Sequence, residues 1–117
     1  MNYLGLDYGQ KHIGVALAIG PLAEPLTTIS TNNALQLIKE LIKEHHIEAI
    51  IIGTHDASMH NTLKQLRPPV YEVDETLSTQ DATKVMFHTT PKRRKLKEHA
   101  VAAALILQSW LDSLPLS

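Results

Sequence analysis

The chain has 117 residues, 44% of them hydrophobic, and a formal net charge of −1. This length fits one domain, residues 1–117, with a single core, and excludes a two-domain arrangement. The absence of cysteine excludes disulfides and cysteine-based zinc sites, and no apolar run approaches the roughly 20 residues that span a bilayer. We therefore expect a cytoplasmic protein without a membrane partner.

The first predicted strand ends in an acid. Residues 3–6 alternate in the period of a strand and lead directly into Asp7. An ionised carboxylate near the centre of a sheet is costly unless a cation or hydrogen-bond donors compensate it. Gly9 permits a tight turn, and Gly14 leaves one position of the returning strand at 13–18 without a side chain. The hairpin therefore predicts an open site beside Asp7 that suits a divalent metal.

The rest of the chain alternates strand and helix patterns, which predicts an α/β fold. The Ile-rich run at 48–53 is typical of a parallel strand that is buried on both faces. In chain order we expect an edge strand at 25–29, a helix at 33–45 capped by Thr31, Asn32 or Asn33, a strand at 48–53, a short helix at 57–66, a strand at 70–74, a helix beginning at Ser78, and a final helix at 94–114.

A second acidic strand end follows residues 70–74. Asp74 ends that predicted strand and Glu75 comes directly after it. Because ligands gather at the carboxyl ends of strands in open α/β sheets, we expect Asp7 and Glu75 to meet across neighbouring strands. Paired carboxylates on strands are typical of magnesium or manganese sites. The alternative is that Asp74 and Glu75 only solvate a strand-to-helix turn.

The final helix carries a histidine on its apolar face. At about 100° per residue, His99 lies within about 60° of Ala103, whereas Glu98 points away from this face. A histidine on an apolar helix face is more often a hydrogen-bonded core residue than a ligand, so both interpretations stay open. The same face is predicted to include Leu96, Ala100, Ile106, Leu107, Trp110 and Leu114.

Basic residues are concentrated just before this face. Five of the eleven Lys and Arg residues are Lys92, Arg93, Arg94, Lys95 and Lys97, here called the basic block. Such a patch attracts phosphates, because each neutralised phosphate releases counterions. We expect the basic block, with Lys11 of the first turn, to contact nucleic acid. The alternative is a solvated helix start.

Four segments occur in the order found in the YqgF family, at residues 4–16, 50–53, 73–79 and 102–108. The chain resembles this family over essentially its whole length. Family members are described as Holliday junction resolvases or as pre-16S rRNA nucleases. The resemblance implies an RNase H-like α/β fold, with a central mixed five-stranded sheet and helices on both faces. It also implies a cytoplasmic, metal-dependent nuclease that processes the 5′ end of pre-16S rRNA.

The resemblance implies a catalytic metal site at Asp7 and Glu75, with Mg²⁺ or Mn²⁺ in a two-metal arrangement. The third family carboxylate is an aspartate at the position of His99. RuvC-like relatives can use a histidine at this end of the helix. His99 would then be a nitrogen ligand, which favours Mn²⁺, or a general base for the attacking water.

Three other differences from the family pattern affect the same region. His12 replaces an arginine, Thr76 replaces the arginine after the glutamate, and residues 54–56 replace a Leu-Pro segment.

Other functions stay open. One alternative is a Holliday junction resolvase acting on branched DNA, and another is an RNA-binding ribosome-assembly factor that has lost catalysis. A phosphate binder of the actin and sugar-kinase type shares the Asp7-Tyr8-Gly9 hairpin but needs two lobes. Both a monomer and a homodimer are compatible with the sequence.

Overall fold

Five strands form one mixed sheet in the part of the chain that the computed structural model describes, residues 1–53, 57–73 and 91–114. The elements are β1 (Tyr3–Tyr8), β2 (His12–Ala18), β3 (Ala23–Ser30), a 3-10 turn (Thr31–Asn33), α1 (Ala34–His45), β4 (Ala49–Gly53), α2 (Ala57–Leu63), β5 (Val70–Val73) and α3 (Pro91–Ser113). The strand order in the sheet is β3-β2-β1-β4-β5. The first three strands are antiparallel neighbours, and β4 and β5 run parallel to β1.

The predicted α/β fold with a mixed five-stranded sheet is confirmed. Strand β3 lies at an edge of the sheet, as its Pro25 indicated, and all five residues of β4 are buried between two layers. The helix predicted to begin at Ser78 lies outside the described residues. Among the described residues, no helix is both long and apolar enough to cross a membrane.

Of the predicted caps of α1, Asn33 is confirmed as the N-cap residue, but its side chain does not cap the helix. Asn33 occupies the N-cap position of α1 without a side-chain cap hydrogen bond, and Ser30 instead caps the preceding 3-10 turn by accepting from the Asn32 N–H. Thr31 is the first residue of that 3-10 turn rather than a cap, and its hydroxyl donates to the Gln10 carbonyl at 3.2 Å. Strand β3 extends to Ser30, so the chain enters α1 through this extra turn.

The two faces of the sheet have separate cores, as expected for helices on both faces. Strand residues alternate between the faces, so β1 sends Leu4 and Leu6 toward α1 and α2, and Gly5 and Asp7 toward α3. Packed in the first core are Leu4, Leu6, Ile13, Val15, Ile29, Ile38, Ile50, Ile52 and Leu63. Packed in the second are Ala16, Ala18, Ile51, Ala103, Ile106 and Leu107.

Helix α3 begins earlier than predicted and ends one residue sooner. Its first residue is Pro91, which suits the first turn of a helix because proline lacks the N–H that would be unpaired there. Consequently the backbone of the basic block lies in the first two turns of α3. Leu114 was predicted to be buried but is 40% exposed, because the helix ends at Ser113.

Helix α3 lies against two glycines of the sheet. A Cβ built at Gly5 would lie 2.7 Å from the carbonyl oxygen of Ala103, and one built at Gly14 would overlap the carbonyl group of His99. These neighbours are backbone atoms, which cannot rotate aside. The two glycines therefore set the distance between α3 and the sheet.

We predict that Gly14→Ala lowers the free energy of unfolding by at least the ~1–3 kcal/mol typical of overpacked cores, because α3 must move away from the sheet. Gly20→Ala is the matched control. A Cβ there meets no described atom within 4 Å, and its φ is not positive. The control should be neutral or slightly stabilised. Urea unfolding followed by the fluorescence of Trp110, the single tryptophan, measures both. Equal stability of Gly14→Ala and wild type would contradict the close packing of α3.

Candidate active site

Asp7 lies near the end of β1 on the face that α3 covers. It pairs with Gly14 of β2, so no side chain stands beside its carboxylate on that strand. The Asp7 side chain is 16% exposed, and its Oδ2 lies 3.2 Å from Nδ1 of His99. The structure thus places Asp7 and His99, two of the three predicted catalytic residues, in contact with each other.

The position of His99 depends on glycines. Its backbone carbonyl touches Gly14, and its ring lies over Gly9, where a Cβ would be 2.9 Å from Cε1. The sequence pattern predicts these glycines in the turn and in the returning strand. Their contact with α3 was not predicted, because no local pattern shows which helix residue packs on a given glycine.

The pKa of His99 is raised above its ordinary value. The largest cause is the hydrogen bond with the Asp7 carboxylate, and the negative charges of Asp7 and Glu98 add to it. Partial burial of the ring opposes this increase. With a proton on Nδ1, His99 donates to Asp7 and its Nε2 is left for another partner.

His12 lies beside this pair at the start of β2. Its ring centroid is 6.5 Å from that of His99, with the planes tilted by 31°. Its carbonyl accepts from the Gly9 N–H at 2.8 Å, which closes the turn between β1 and β2. From the sequence, His12 was only a difference from the family pattern. The hairpin spacing, which pairs Tyr8 with Ile13, is the signal that could have placed it here.

The turn that carries Lys11 is hydrogen-bonded to the 3-10 turn that precedes α1. The Thr31 N–H donates to the Lys11 carbonyl at 3.1 Å, and the Thr31 hydroxyl donates to Gln10. The Lys11 side chain is exposed. It is therefore a solvent-facing cation on an anchored turn, two residues from the Gly9 backbone.

Two predicted parts of the site are not described at the level of side chains. Glu75 lies outside the described residues. The basic block, residues 92–97, is placed only by its backbone, which precedes His99 by two to seven positions on α3. Asp7 and His99 are thus the predicted site residues whose contact the structure describes.

The donor atoms of the Asp7–His99 pair are of the types that bind divalent cations. A carboxylate oxygen and an imidazole nitrogen are donors that Mn²⁺ accepts, whereas Mg²⁺ prefers oxygen. Glycines beside the pair keep side chains away from it. In residues 1–53, 57–73 and 91–114, no three His, Asp or Glu side chains form a metal cluster. The site therefore needs a further ligand, and Glu75 is the predicted one.

We predict that the Asp7–His99 pair stabilises the metal-free fold more at pH 6 than at pH 9. A histidine whose folded pKa is raised contributes stability that is fully present below the unfolded value, near 6.5, and lost as pH rises through the folded value. Urea unfolding of wild type and His99→Gln, in chelator, between about pH 5.5 and 9, measures the difference. A difference that is constant with pH would contradict the pair.

Sequence comparison matches residues 1–65 and 55–113 to the model of the RuvX family, described as "Holliday junction resolvase". A curated protein of Roseiflexus sp. (strain RS-1) is 37% identical over 94% of this chain and 93% of its own length. One from Bacillus subtilis (strain 168) is 36% identical over 97% and 99%, and one from Syntrophus aciditrophicus (strain SB) is 35% identical over 97% and 90%. All three are named "Putative pre-16S rRNA nuclease".

Structure comparison finds the same fold in RuvC. The Thermus thermophilus RuvC structure in complex with a Holliday junction substrate matches with a TM-score of 0.61 at 14% identity, covering 95% of this chain and 93% of RuvC. A second T. thermophilus RuvC structure matches with a TM-score of 0.56 at 16% identity, covering 97% of both chains. At this identity the likeness concerns the fold alone, which is RNase H-like.

Proposed function

Because this chain belongs to the RuvX (YqgF) family, we propose that it is a metal-dependent nuclease that cleaves precursor 16S rRNA. The observation that carries this proposal is the 3.2 Å contact between Asp7 and His99 at the end of β1. Relatives that share 35–37% of their residues over nearly the whole chain support the RNA substrate by their names. We propose one nuclease domain, residues 1–117, acting in the cytoplasm.

Asp7 is proposed to hold a divalent cation, Mg²⁺ or Mn²⁺, together with Glu75. When bound, such a cation polarises the scissile phosphate and lowers the pKa of a nearby water. Asp7 suits this role because a strand fixes its position and little solvent reaches its carboxylate. A ligand on a rigid strand keeps its geometry better than one on a loop.

His99 has two proposed roles. As a base, it would donate from Nδ1 to Asp7, which orients the carboxylate, and accept a proton from the attacking water at Nε2. As a ligand, it would give up the contact with Asp7 and favour Mn²⁺ over Mg²⁺. Both roles require a neutral ring, so activity should fall at low pH.

The basic block and Lys11 are proposed to bind the phosphate backbone with little sequence preference. The backbone of the basic block precedes His99 on α3, and Lys11 is exposed on the turn after β1. The positive charges of these residues would attract a polyanion. Branched DNA is the second candidate substrate, favoured by the family description. A resolvase cutting a symmetric junction needs two sites, so a homodimer would favour DNA and a monomer RNA.

We predict that Asp7→Asn and Glu75→Gln each reduce cleavage by more than the roughly 10–100-fold typical of residues that only hydrogen-bond to metal ligands. Each change removes a charge that would hold the cation while it keeps the shape of the side chain. Asp112→Asn, the same change at an exposed residue near the end of α3, is the control. Cleavage of a short precursor rRNA and of a four-way DNA junction, each with Mg²⁺ or Mn²⁺, is the assay. Near-wild-type turnover of either variant in Mn²⁺ would refute the carboxylate mechanism.

We predict that His99→Ala loses most cleavage, whereas His99→Asp keeps it and shifts the preferred metal from Mn²⁺ toward Mg²⁺, because oxygen replaces nitrogen. Metal titrations of the cleavage rate for both variants measure this. Full activity of His99→Ala would make His99 a core histidine. An inactive wild type with an active His99→Asp would instead identify a protein that has lost catalysis, and would favour the RNA-binding assembly factor.

A further inference from the structure

A pocket of about 240 Å³ opens at the end of β1, on the face opposite to α3. Tyr8 lines it and packs with the core beneath α1 and α2, whereas Asp7 points to the α3 face. Gly9 borders both regions, since it lines the pocket and also lies under the ring of His99. The pocket and the candidate active site are therefore neighbours around one strand end.

The lining of the pocket favours a neutral group. Leu35 and Met59 provide apolar walls, and Thr62 adds a hydroxyl. None of the described residues that line the pocket is charged, which disfavours a phosphate as its occupant. Its volume is below the roughly 300–1,000 Å³ of sites for drug-sized ligands, which suits a single ring system. A methionine thioether also makes favourable contacts with aromatic rings.

The nucleobase is the neutral, flat part of a nucleic acid. Asp7 and Tyr8 are consecutive residues, with Cα atoms about 3.8 Å apart and side chains on opposite faces. A nucleotide crossing the end of β1 could place its phosphate beside Asp7 and its base beside Tyr8. The small backbone of Gly9 leaves this path free of a side chain.

We propose that this pocket, called here the base pocket (Tyr8, Gly9, Leu35, Met59 and Thr62), receives one unstacked nucleobase next to the scissile phosphate. This inference rests on the proposed nuclease function and specifies its substrate. Bases that are free to leave a stack belong to single-stranded segments. The base pocket therefore assigns single-stranded RNA, rather than continuous duplex, as the substrate at the site of cleavage.

Methyl NMR of the full chain tests the base pocket directly. The chain has three methionines, Met1, Met59 and Met86, and Met1 is 79% exposed and outside the pocket. With ¹³C-methyl methionine and Ca²⁺ in place of Mg²⁺, a short single-stranded precursor RNA should shift the Met59 signal upfield, because a stacked ring shields it. Met59→Leu assigns the signal. In a series of RNAs with one abasic nucleotide each, one position should abolish the shift.

A cleavage assay provides the second measurement. The same abasic position should slow wild-type cleavage by about 10-fold, within the range that a stacked base contributes. Thr62→Leu, which fills the base pocket, should lose this difference between normal and abasic RNA. Thr27→Leu makes the same change on the exposed edge strand β3 and should retain the difference.

The outcomes separate the two proposals. If RNA is bound and cleaved but the Met59 methyl signal does not shift, the base pocket is wrong and the proposed nuclease function is retained. A Met59 shift that one abasic position abolishes, without cleavage in any metal, supports the base pocket and overturns the nuclease function. RNA that neither binds nor is cleaved overturns both.

Discussion

Helix α3 contacts the sheet through backbone atoms, and the rest of the site depends on this contact. At Gly14 the carbonyl of His99 occupies the space of a missing side chain, and at Gly5 the carbonyl of Ala103 does the same. A helix held at this distance carries the His99 ring to within 3.2 Å of Asp7. Any side chain at Gly14 would raise the helix and separate the imidazole from the carboxylate. The geometry of the site therefore depends on the missing Cβ atoms of Gly5 and Gly14 as well as on Asp7 and His99.

The second half of α3 is held by side chains instead. The Gln108 side chain accepts from the Ala23 N–H at 2.8 Å and donates to the Pro21 carbonyl at 3.0 Å, which ties the helix to the turn before β3. Trp110 packs edge-on against Tyr3 and stacks on Tyr71, with centroid distances of 5.0 and 5.2 Å. These contacts hold α3 at a second point, about three turns after the one at Gly14. A functional side chain on an element held at two separate points loses little of its geometry to motion.

Periodicity was sufficient to predict most of the strands and helices, whereas the mixed five-stranded sheet with helices on both faces was implied by the resemblance to the YqgF family. The alternation before Asp7 and the isoleucines of β4 predicted the central strands, and helical spacing predicted that His99 shares a face with Ala103 and Leu107, which the structure buries against the sheet. The errors arose from contacts between distant residues. Thr31 lies inside the 3-10 turn rather than at a cap position, and its hydroxyl donates to a carbonyl 21 residues away. The packing of α3 on Gly14 joins residues 85 positions apart, and no local pattern specifies that pairing.

The histidine changes the charge balance of the site relative to a third carboxylate. Three carboxylates repel one another without a cation, whereas Asp7 and His99 attract, which raises the pKa of His99. The pair is thus stable without a ligand, and below the folded pKa of His99 a cation that uses both groups must displace a proton from the imidazole. Such a site binds cations with a stronger pH dependence than an all-carboxylate site, and its nitrogen donor disfavours Mg²⁺. One substitution on a rigid helix can therefore alter the metal preference of this fold without altering its architecture.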